Sequence, residues 1–200
     1  MRKVFIDCGC REGDAIAAFL GDQTVGWGAY HRCLKPRPDT NEYEIIGFES
    51  PDYKHLHSTR NRFSGVQFSL IEKLAWIHDG VVAFDSDGES VDCRLLQVSR
   101  LENIEPWRHP NPQAVVHDLP CIDLSRFLLT EFDATDLIVL KLDIEGAEYE
   151  VLERIVATDA VSRLSELYVE YHWWGRVSLR DQIEMALRHI TSLHYRNDWP

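Results

Sequence analysis

Three segments of the chain place acidic residues beside glycine, each directly after a run of apolar residues. Asp7 is followed by Gly9 and Gly13, Glu49 ends a second apolar run, and Asp143 follows a third. Glycine permits a tight turn and a close approach of the backbone to a ligand, and a carboxylate suits a ligand that carries positive charge. Together these residue types predict a nucleoside-type site with acidic walls.

The glycine spacing differs from the dinucleotide fingerprint, which has three glycines at closer intervals for a pyrophosphate. An NAD-type oxidoreductase is therefore disfavoured. Glu49 lies further along the chain than the roughly 20 residues expected of a compact dinucleotide unit, and the extra length falls in 21–43, predicted to be an inserted loop. At the end of a second strand, an acid can accept hydrogen bonds from both hydroxyls of a ribose.

Apolar runs alternate with helix-like segments along the chain. Strands are predicted at 3–7, 44–49, 137–142 and 164–171, and helices at 14–20, from 52, at 124–132, 147–157 and 178–190. Asp123 is the predicted N-cap of the helix that follows it. The region 66–84 is predicted to form a hairpin added to the sheet, with its turn at 78–80. The segment 106–112 is predicted to be an ordered, proline-rich loop.

The run at 137–142 is apolar and β-branched on both faces, which is typical of a central strand in a parallel sheet covered by helices. We therefore predict one α/β domain over residues 1–200, a doubly wound and mostly parallel sheet with helices on both faces. Ligands of such sheets bind at the carboxyl ends of the strands.

Three segments make the chain resemble the FkbM-type methyltransferases, a branch of the class I S-adenosylmethionine-dependent enzymes. They are Val-Phe-Ile-Asp-Cys-Gly at 4–9, Gly-Phe-Glu-Ser-Pro at 47–51, and Leu-Lys-Leu-Asp-Ile-Glu-Gly-Ala-Glu at 140–148. The last segment is the most specific, and 122–128 resembles the stretch that usually precedes it. The likeness extends from about residue 3 to 172 and implies a Rossmann-like fold.

The resemblance also implies how S-adenosylmethionine would bind. The turn from Gly9 to Gly13 would face the methionine part of the cofactor, Glu49 would hold the ribose, and the segment 75–77 would lie near the adenine. The cofactor residues expected on this basis are Asp7, Gly9, Gly13, Glu49, Ala75, Trp76 and Asp143. Trp76 either stacks on the adenine or packs in the core.

Methylation of an alcohol requires a base within hydrogen-bond reach of the hydroxyl. The two candidates are Asp143 and His172, which follows the next strand and should open on the same crevice. Lys141 either steers an acidic substrate or, as we favour, pairs structurally with Glu145. No metal is predicted, although an alternative places a divalent cation among Asp143, Glu145, Glu148 and His172.

Composition narrows the substrates and the compartment. The net charge of −12 argues against general nucleic-acid binding, and the basic cluster at 54–62 is interpreted as a solvated helix face. Five cysteines without framework spacing and no apolar leader indicate a cytoplasmic protein away from the membrane. Cys8 and Cys10 are interpreted as small buried residues rather than metal ligands.

The expected activity is transfer of a methyl group to a hydroxyl oxygen of a sugar or small metabolite. The alternatives are methylation of a ribose 2′-hydroxyl on RNA and a non-catalytic protein that binds S-adenosylmethionine. Trp173 and Trp174 could form an aromatic wall for a sugar, and core packing explains them equally well. The sequence indicates no oligomeric state.

Overall fold

A computed structural model describes residues 1–22, 37–86, 94–95, 115–172, 177–190 and 192–197. Within them lie ten strands: β1 (Lys3–Cys8), β2 (Glu44–Phe48), β3 (Phe68–Ile71), β4 (Leu74–Trp76), β5 (Gly80–Ser86), β6 (Arg94–Leu95), β7 (Val115–Asp123), β8 (Leu137–Leu142), β9 (Leu164–Val169) and β10 (His194–Arg196). The α-helices are α1 (Asp14–Phe19), α2 (Leu56–Arg62), α3 (Leu124–Glu131), α4 (Glu148–Ala157) and α5 (Val177–Arg188).

The central sheet has six strands in the order β10-β9-β8-β1-β2-β3, and every described pairing between them is parallel. Successive residues of β1 point to opposite faces of the sheet and both faces are covered. Ile6 packs in the cluster that contains α3, α4 and α5, whereas Phe5 packs with α1 on the other side. The doubly wound α/β fold predicted from the sequence is confirmed.

The strand at 137–142 lies where its composition predicts. β8 pairs with β1 on one side and β9 on the other, and its residues from Ile138 to Leu142 are buried. A strand with helices over both faces has no solvent-facing side, so it tolerates apolar residues at every position. This burial fixes the edge at which Asp143 leaves the sheet.

The predicted hairpin at 66–84 is wrong in its pairing. β3 joins the central sheet beside β2, while β4 and β5 each pair with β7 in a second sheet of order β4-β7-β5-β6. Their shared partner β7 therefore lies much later in the chain. The turn at 78–80 connects β4 and β5, which do not pair with each other but lie on either side of β7. Local alternation in sequence cannot show such a pairing.

Most helix boundaries agree with the prediction to within one or two residues. Asp123 caps α3 as predicted, because its Oδ1 accepts a hydrogen bond from the Arg126 N–H at 3.1 Å. The helix predicted from residue 52 is α2 and begins later, at Leu56. Ser50 instead starts a turn, with its carbonyl accepting from the Tyr53 N–H at 3.0 Å.

Cys8 and Cys10 are buried, as predicted, and Cys10 packs where β2 has a glycine. A Cβ atom on Gly47 would lie 2.9 Å from the Cys10 sulfur. Cys33, Cys93, Trp173, Trp174 and the loop at 106–112 lie outside the described residues, as does most of the predicted insertion. In the part of the chain described, no helix is both long and apolar enough to span a membrane.

Basic side chains on and before α2 are solvent-facing, as predicted for 54–62. Lys54, His57, Arg60 and Arg62 are exposed, and Arg62 forms an ion pair with Asp14 at 2.7 Å. Arg60 pairs with Glu72. These contacts join α2 to its neighbours.

Candidate active site

Four acidic residues meet at one edge of the central sheet. Asp7 lies at the end of β1, Glu49 directly after β2, Asp143 directly after β8, and Glu170 directly after β9. The strands are parallel neighbours, so their carboxyl ends lie side by side, and backbone hydrogen bonds continue past them. The Asp143 N–H donates to the Cys8 carbonyl at 3.2 Å, and the Glu170 N–H donates to the Leu142 carbonyl at 2.9 Å.

The turn after β1 passes very close to the segment after β8. Gly9 has φ +77°, and a Cβ atom at this position would lie 1.9 Å from the Asp143 carbonyl oxygen. Gly13 has φ +79°, and its Cβ atom would meet the Phe63 ring at 2.2 Å. Only glycine combines this backbone conformation with such close contacts. The two glycines of the sequence motif therefore let β1, β8 and α2 converge on the site.

Glu49 is tied to this turn by its own carboxylate. One oxygen, Oε2, accepts from the Arg11 N–H, and Oε1 accepts from the Ser50 N–H, both at 2.7 Å. Burial raises the pKa of Glu49 above its ordinary value, although the two backbone hydrogen bonds oppose the shift. Each carboxylate oxygen has a second lone pair, so the side chain can still accept hydrogen bonds from a ligand's hydroxyls.

Lys141 connects two of the acids from beneath the site. Its Nζ lies 2.9 Å from Asp7 Oδ1 and 3.0 Å from Asp143 Oδ2, and it donates to the Gly9 carbonyl at 3.1 Å. Structural pairing was predicted for Lys141 with Glu145 as the partner, and the carboxylates found within 3.0 Å are those of Asp7 and Asp143. An ammonium with these three partners holds the end of β1 to the end of β8.

Asp7 is fully buried, and its surroundings are unusual for a carboxylate. Burial raises the pKa of Asp7 to about 6, in spite of the opposing charge of Lys141. Among the described residues its Oδ2 has no hydrogen-bond partner. Buried polar atoms are normally paired, so this oxygen is a feature to be explained by function.

His172 is held by a buried carboxylate on one side and faces other acids on the opposite side. Its Nδ1 lies 2.9 Å from Glu148 Oε1, which also accepts from the Ile144 N–H at 2.9 Å. Its Nε2 lies 3.8 Å from Asp143 Oδ1 and 3.7 Å from Glu170 Oε1. The structure thus brings both predicted bases, Asp143 and His172, to one place.

The protonation of His172 bears on its predicted role as a base. Burial alone would lower the pKa of His172, but the hydrogen bond and the charge of Glu148, with Glu145 and Asp143, raise it to about 9. An imidazole with this pKa already carries a second proton at pH 7. A group that holds this proton so firmly is the poorer proton acceptor, which favours Asp143 as the candidate base; the role of each residue stays a prediction.

Ala75 and Trp76 lie in β4, and both are buried in the core cluster that covers one face of the sheet. Core packing, one of the two readings of Trp76, is therefore confirmed. Its indole Nε1 has no hydrogen-bond partner within the described segments. The contact of Ala75 and Trp76 with an adenine stays a prediction.

Glu170 is the residue at this site that the sequence reasoning missed. Burial and the nearby charge of Asp143 raise the pKa of Glu170 to about 7. A signal was present, because Glu170 directly follows β9 just as Glu49 directly follows β2. An acid at the carboxyl end of a buried parallel strand faces the crevice in both places.

A parallel sheet of this order, with glycine turns and acids at its carboxyl edge, defines a Rossmann-like fold of the class I methyltransferase type. The family model described as "Methyltransferase FkbM domain" matches residues 7–196, and the chain belongs to this family. The match includes Asp7, Glu49, Asp143 and His172, so the whole acidic edge lies inside the family's domain.

Two curated relatives share a shorter stretch. The proteins described as "Probable methyltransferase-like protein 24" from Rattus norvegicus and from Homo sapiens are each 36% identical to this chain over 73 residues. That stretch covers 34% of this chain and 20% of each relative, so the similarity spans only a fifth of their length. No solved structure matches the chain significantly.

Proposed function

We propose that the protein transfers a methyl group from S-adenosylmethionine to a hydroxyl oxygen of a sugar or small metabolite. The observation that carries the proposal is the hydrogen bond of 2.7 Å from the Arg11 N–H to Glu49. It joins the glycine turn after β1 to the acid after β2, the two parts that a nucleoside cofactor must contact together. Membership of a methyltransferase family supplies the reaction class.

The residues present fit such a cofactor. Glu49 has lone pairs left for the two ribose hydroxyls, and Gly9 lets the turn after β1 pack directly against the Asp143 carbonyl, which brings the two acidic strand ends of the crevice together. The unpaired Oδ2 of Asp7 is suited to an ammonium or sulfonium group, since a buried carboxylate gains most from a nearby positive charge. When bound, S-adenosylmethionine would supply an electrophilic methyl group on a sulfonium.

The chain's own part in the reaction would be to align the acceptor and remove its proton. Asp143 lies at the crevice beside Gly9, and its Oδ2 is held by Lys141 at 3.0 Å. This ion pair fixes the carboxylate while the other oxygen, Oδ1, faces His172. We assign Asp143 as the proton acceptor, His172 as a group that orients the acceptor hydroxyl, and Lys141 as a positioning residue.

The choice of acceptor rests on charge. The chain has a net charge of −12, and four acids, Asp7, Glu49, Asp143 and Glu170, lie at the carboxyl ends of the strands that form the proposed crevice. A neutral hydroxyl compound would therefore approach more readily than a phosphate-bearing polymer. A sugar or a small metabolite meets this condition. Strongly salt-dependent binding of RNA would favour the alternative, methylation of a ribose hydroxyl.

The decisive experiment is calorimetric titration of the purified protein with S-adenosylmethionine and S-adenosylhomocysteine. Glu49→Ala should abolish saturable binding of both compounds, because it removes the ribose acceptor. Glu131→Ala is the matched control, since this exposed acid at the end of α3 lies near Arg2, at the opposite edge of the sheet. It should bind as the wild type does.

Absence of binding by the wild-type protein would refute the cofactor assignment. Binding that survives in Glu49→Ala would refute the role of Glu49 alone. Once binding is established, a screen of hydroxyl acceptors with S-adenosylmethionine separates an enzyme from a binding protein, because only an enzyme releases S-adenosylhomocysteine in proportion to the acceptor.

A further inference from the structure

Three side chains from two adjacent strand ends surround one point beside the proposed acceptor site. They are Asp143 after β8, and Glu170 and His172 after β9. One ligand atom from each lies within 4.8 Å of the other two, with His172 Nε2 3.8 Å from Asp143 Oδ1 and 3.7 Å from Glu170 Oε1. We propose that these three residues bind a divalent transition-metal ion, for which Mn²⁺ is the best match.

The distances suit ligands of a shared ion better than hydrogen bonds. At 3.7 and 3.8 Å, the separations exceed the 2.7–3.2 Å range of N–H···O hydrogen bonds. In an octahedral shell with bonds of about 2.1 Å, neighbouring ligands lie about 3 Å apart and opposite ones about 4 Å apart. Small rotations of these side chains are therefore enough to close on one ion.

Glu148 supplies an independent observation. It is not one of the three ligands, its side chain is fully buried, and its Oε2 has no hydrogen-bond partner in the described part of the chain. A buried carboxylate with an unpaired oxygen is costly unless a positive charge lies near it. Glu148 does not contact the proposed ion itself. It contacts the His172 ring, whose Nδ1 lies 2.9 Å from Glu148 Oε1.

The contact of Glu148 with His172 is the arrangement found behind metal-binding histidines. A carboxylate that accepts from one ring nitrogen fixes the tautomer and turns the other nitrogen towards the metal. Here Nδ1 is hydrogen-bonded to Glu148, and Nε2 is the atom that faces Asp143 and Glu170. Nε2 becomes the metal ligand when the ion displaces its proton, as metal binding to histidine requires. Glu145 Oε2 also lies near this group, 3.6 Å from Nε2.

The charge of the region also calls for a cation. A histidine that binds a metal is neutral, so Lys141 is then the cationic side chain that the described contacts place among five carboxylates, those of Asp7, Asp143, Glu145, Glu148 and Glu170. A mixed set of imidazole and carboxylates favours Mn²⁺ over Mg²⁺, which prefers oxygen ligands alone. A bound cation would lower the pKa of a coordinated hydroxyl and would then orient and activate the acceptor itself, with Asp143 and His172 holding the ion in place of their metal-free roles. Metal binding itself does not depend on that function.

The test uses the full chain after treatment with a chelator and dialysis to remove bound metal. This protein is titrated with Mn²⁺, and the concentration of free Mn²⁺ is measured by electron paramagnetic resonance. We expect saturable binding of one Mn²⁺ per chain in the absence of S-adenosylmethionine. Glu170→Gln should weaken this binding at least tenfold, because it removes a charged ligand. Glu131→Gln makes the same chemical change at the opposite edge of the sheet and should leave the binding unchanged.

Glu148→Gln provides a second variant with a different mechanism. It keeps all three ligands but loses the charge behind His172, and outer partners of this kind contribute about 10–100-fold to metal affinity. If Glu170→Gln fails to fold, as judged by circular dichroism, the affinity of Glu148→Gln for Mn²⁺ is the test instead.

The proposal is overturned if the wild-type protein shows no saturable Mn²⁺ binding. It is also overturned if the folded ligand variants and the control bind Mn²⁺ with equal affinity. S-adenosylmethionine titration in the presence of chelator tests the proposed function separately.

Discussion

The Lys141 ammonium lies 2.9 Å from the Asp7 carboxylate in a place where neither side chain reaches solvent. Lys141 is 2% exposed and Asp7 is fully buried. The pair joins the central strands β1 and β8, and each member lies directly beneath the proposed cofactor site. Because taking charges out of water is costly, a buried ion pair adds little net stability to the fold. Removing one partner, however, leaves a buried unpaired charge and destabilises the fold strongly.

Removal of Lys141 should therefore destabilise the fold strongly. Lys141→Met leaves Asp7 buried without its counter-charge, and breaking a buried pair in this way costs about 3–5 kcal/mol. Chemical denaturation followed by tryptophan fluorescence measures the loss. The double variant Asp7→Asn/Lys141→Met removes the fully buried charge of Asp7 and should recover part of the stability, while Asp143 still lacks its counter-charge. If the double variant is no more stable than Lys141→Met, the loss arises from packing or from the unpaired Asp143 and not from Asp7.

The raised pKa of Asp7 predicts a particular dependence of stability on pH. Its pKa is raised from 3.8 to about 6 by burial, so the folded state binds the proton more tightly than the unfolded state does. Stability from this group is greatest below about pH 4 and is lost as the pH rises to about 6. The loss amounts to roughly 3 kcal/mol, at 1.36 kcal/mol per pKa unit.

A comparison with Asp7→Asn isolates this effect, because the remaining groups titrate similarly in both proteins. The free energy of unfolding of the wild type, minus that of Asp7→Asn, should fall between pH 4 and 6 and become flat above pH 6. A difference that rises with pH would mean that the ion pair with Lys141 dominates and that the pKa of Asp7 is lowered in the fold. Denaturant melts at half-unit pH intervals decide between the two signs.

The sequence predicts the part of the fold that is fixed by local pattern. The apolar run of β8 and the glycines after β1 require a buried parallel strand and a tight turn, and these two features alone bring Asp7 and Asp143 together. The sequence does not reveal the second sheet. The pairing of Gly80 with Cys121 depends on contacts between distant segments, for which neither strand carries a local signal.

The site shows the same division. Asp143 and His172 could be predicted because each follows a recognisable strand, and their meeting follows from the parallel order of β8 and β9. The partner of His172 could not be identified with equal certainty, since Glu148 is the first residue of α4 and only its rotamer and burial direct it to Nδ1. Strand β10 has three residues that are not fully buried, too short a pattern to be recognised.

The cap of α3 allows a direct test of a feature predicted from sequence. Asp123 accepts from the Arg126 N–H at 3.1 Å through Oδ1 and from the Arg154 guanidinium at 3.0 Å through Oδ2. Asp123→Ala removes both contacts and should cost about 1–2 kcal/mol. Asp123→Asn keeps a capping oxygen and should recover most of that loss. Equal destabilisation by the two variants, measured by urea denaturation, would show that the ion pair to α4 matters more than the cap.

Alanine substitutions at Gly9 and Gly21 separate the cost of backbone strain from the cost of a steric clash. Gly9→Ala places a methyl group 1.9 Å from the Asp143 carbonyl oxygen at φ +77°, whereas Gly21→Ala is equally unfavourable in φ, at +91°, but meets no atom within 4 Å among the described residues. Gly21→Ala should thus lose only about 1–2 kcal/mol, and S-adenosylmethionine should bind to it normally. Gly9→Ala should lose more stability than this, because β1 and β8 must move apart, and the same displacement should abolish binding of the cofactor.

Thermal melts measure the stability of both variants, and calorimetry measures their binding of S-adenosylmethionine. Equal stability in the two variants, with binding intact in Gly9→Ala, would mean that the turn yields without disturbing the site, and that the close approach of Gly9 to Asp143 has no role in shaping it.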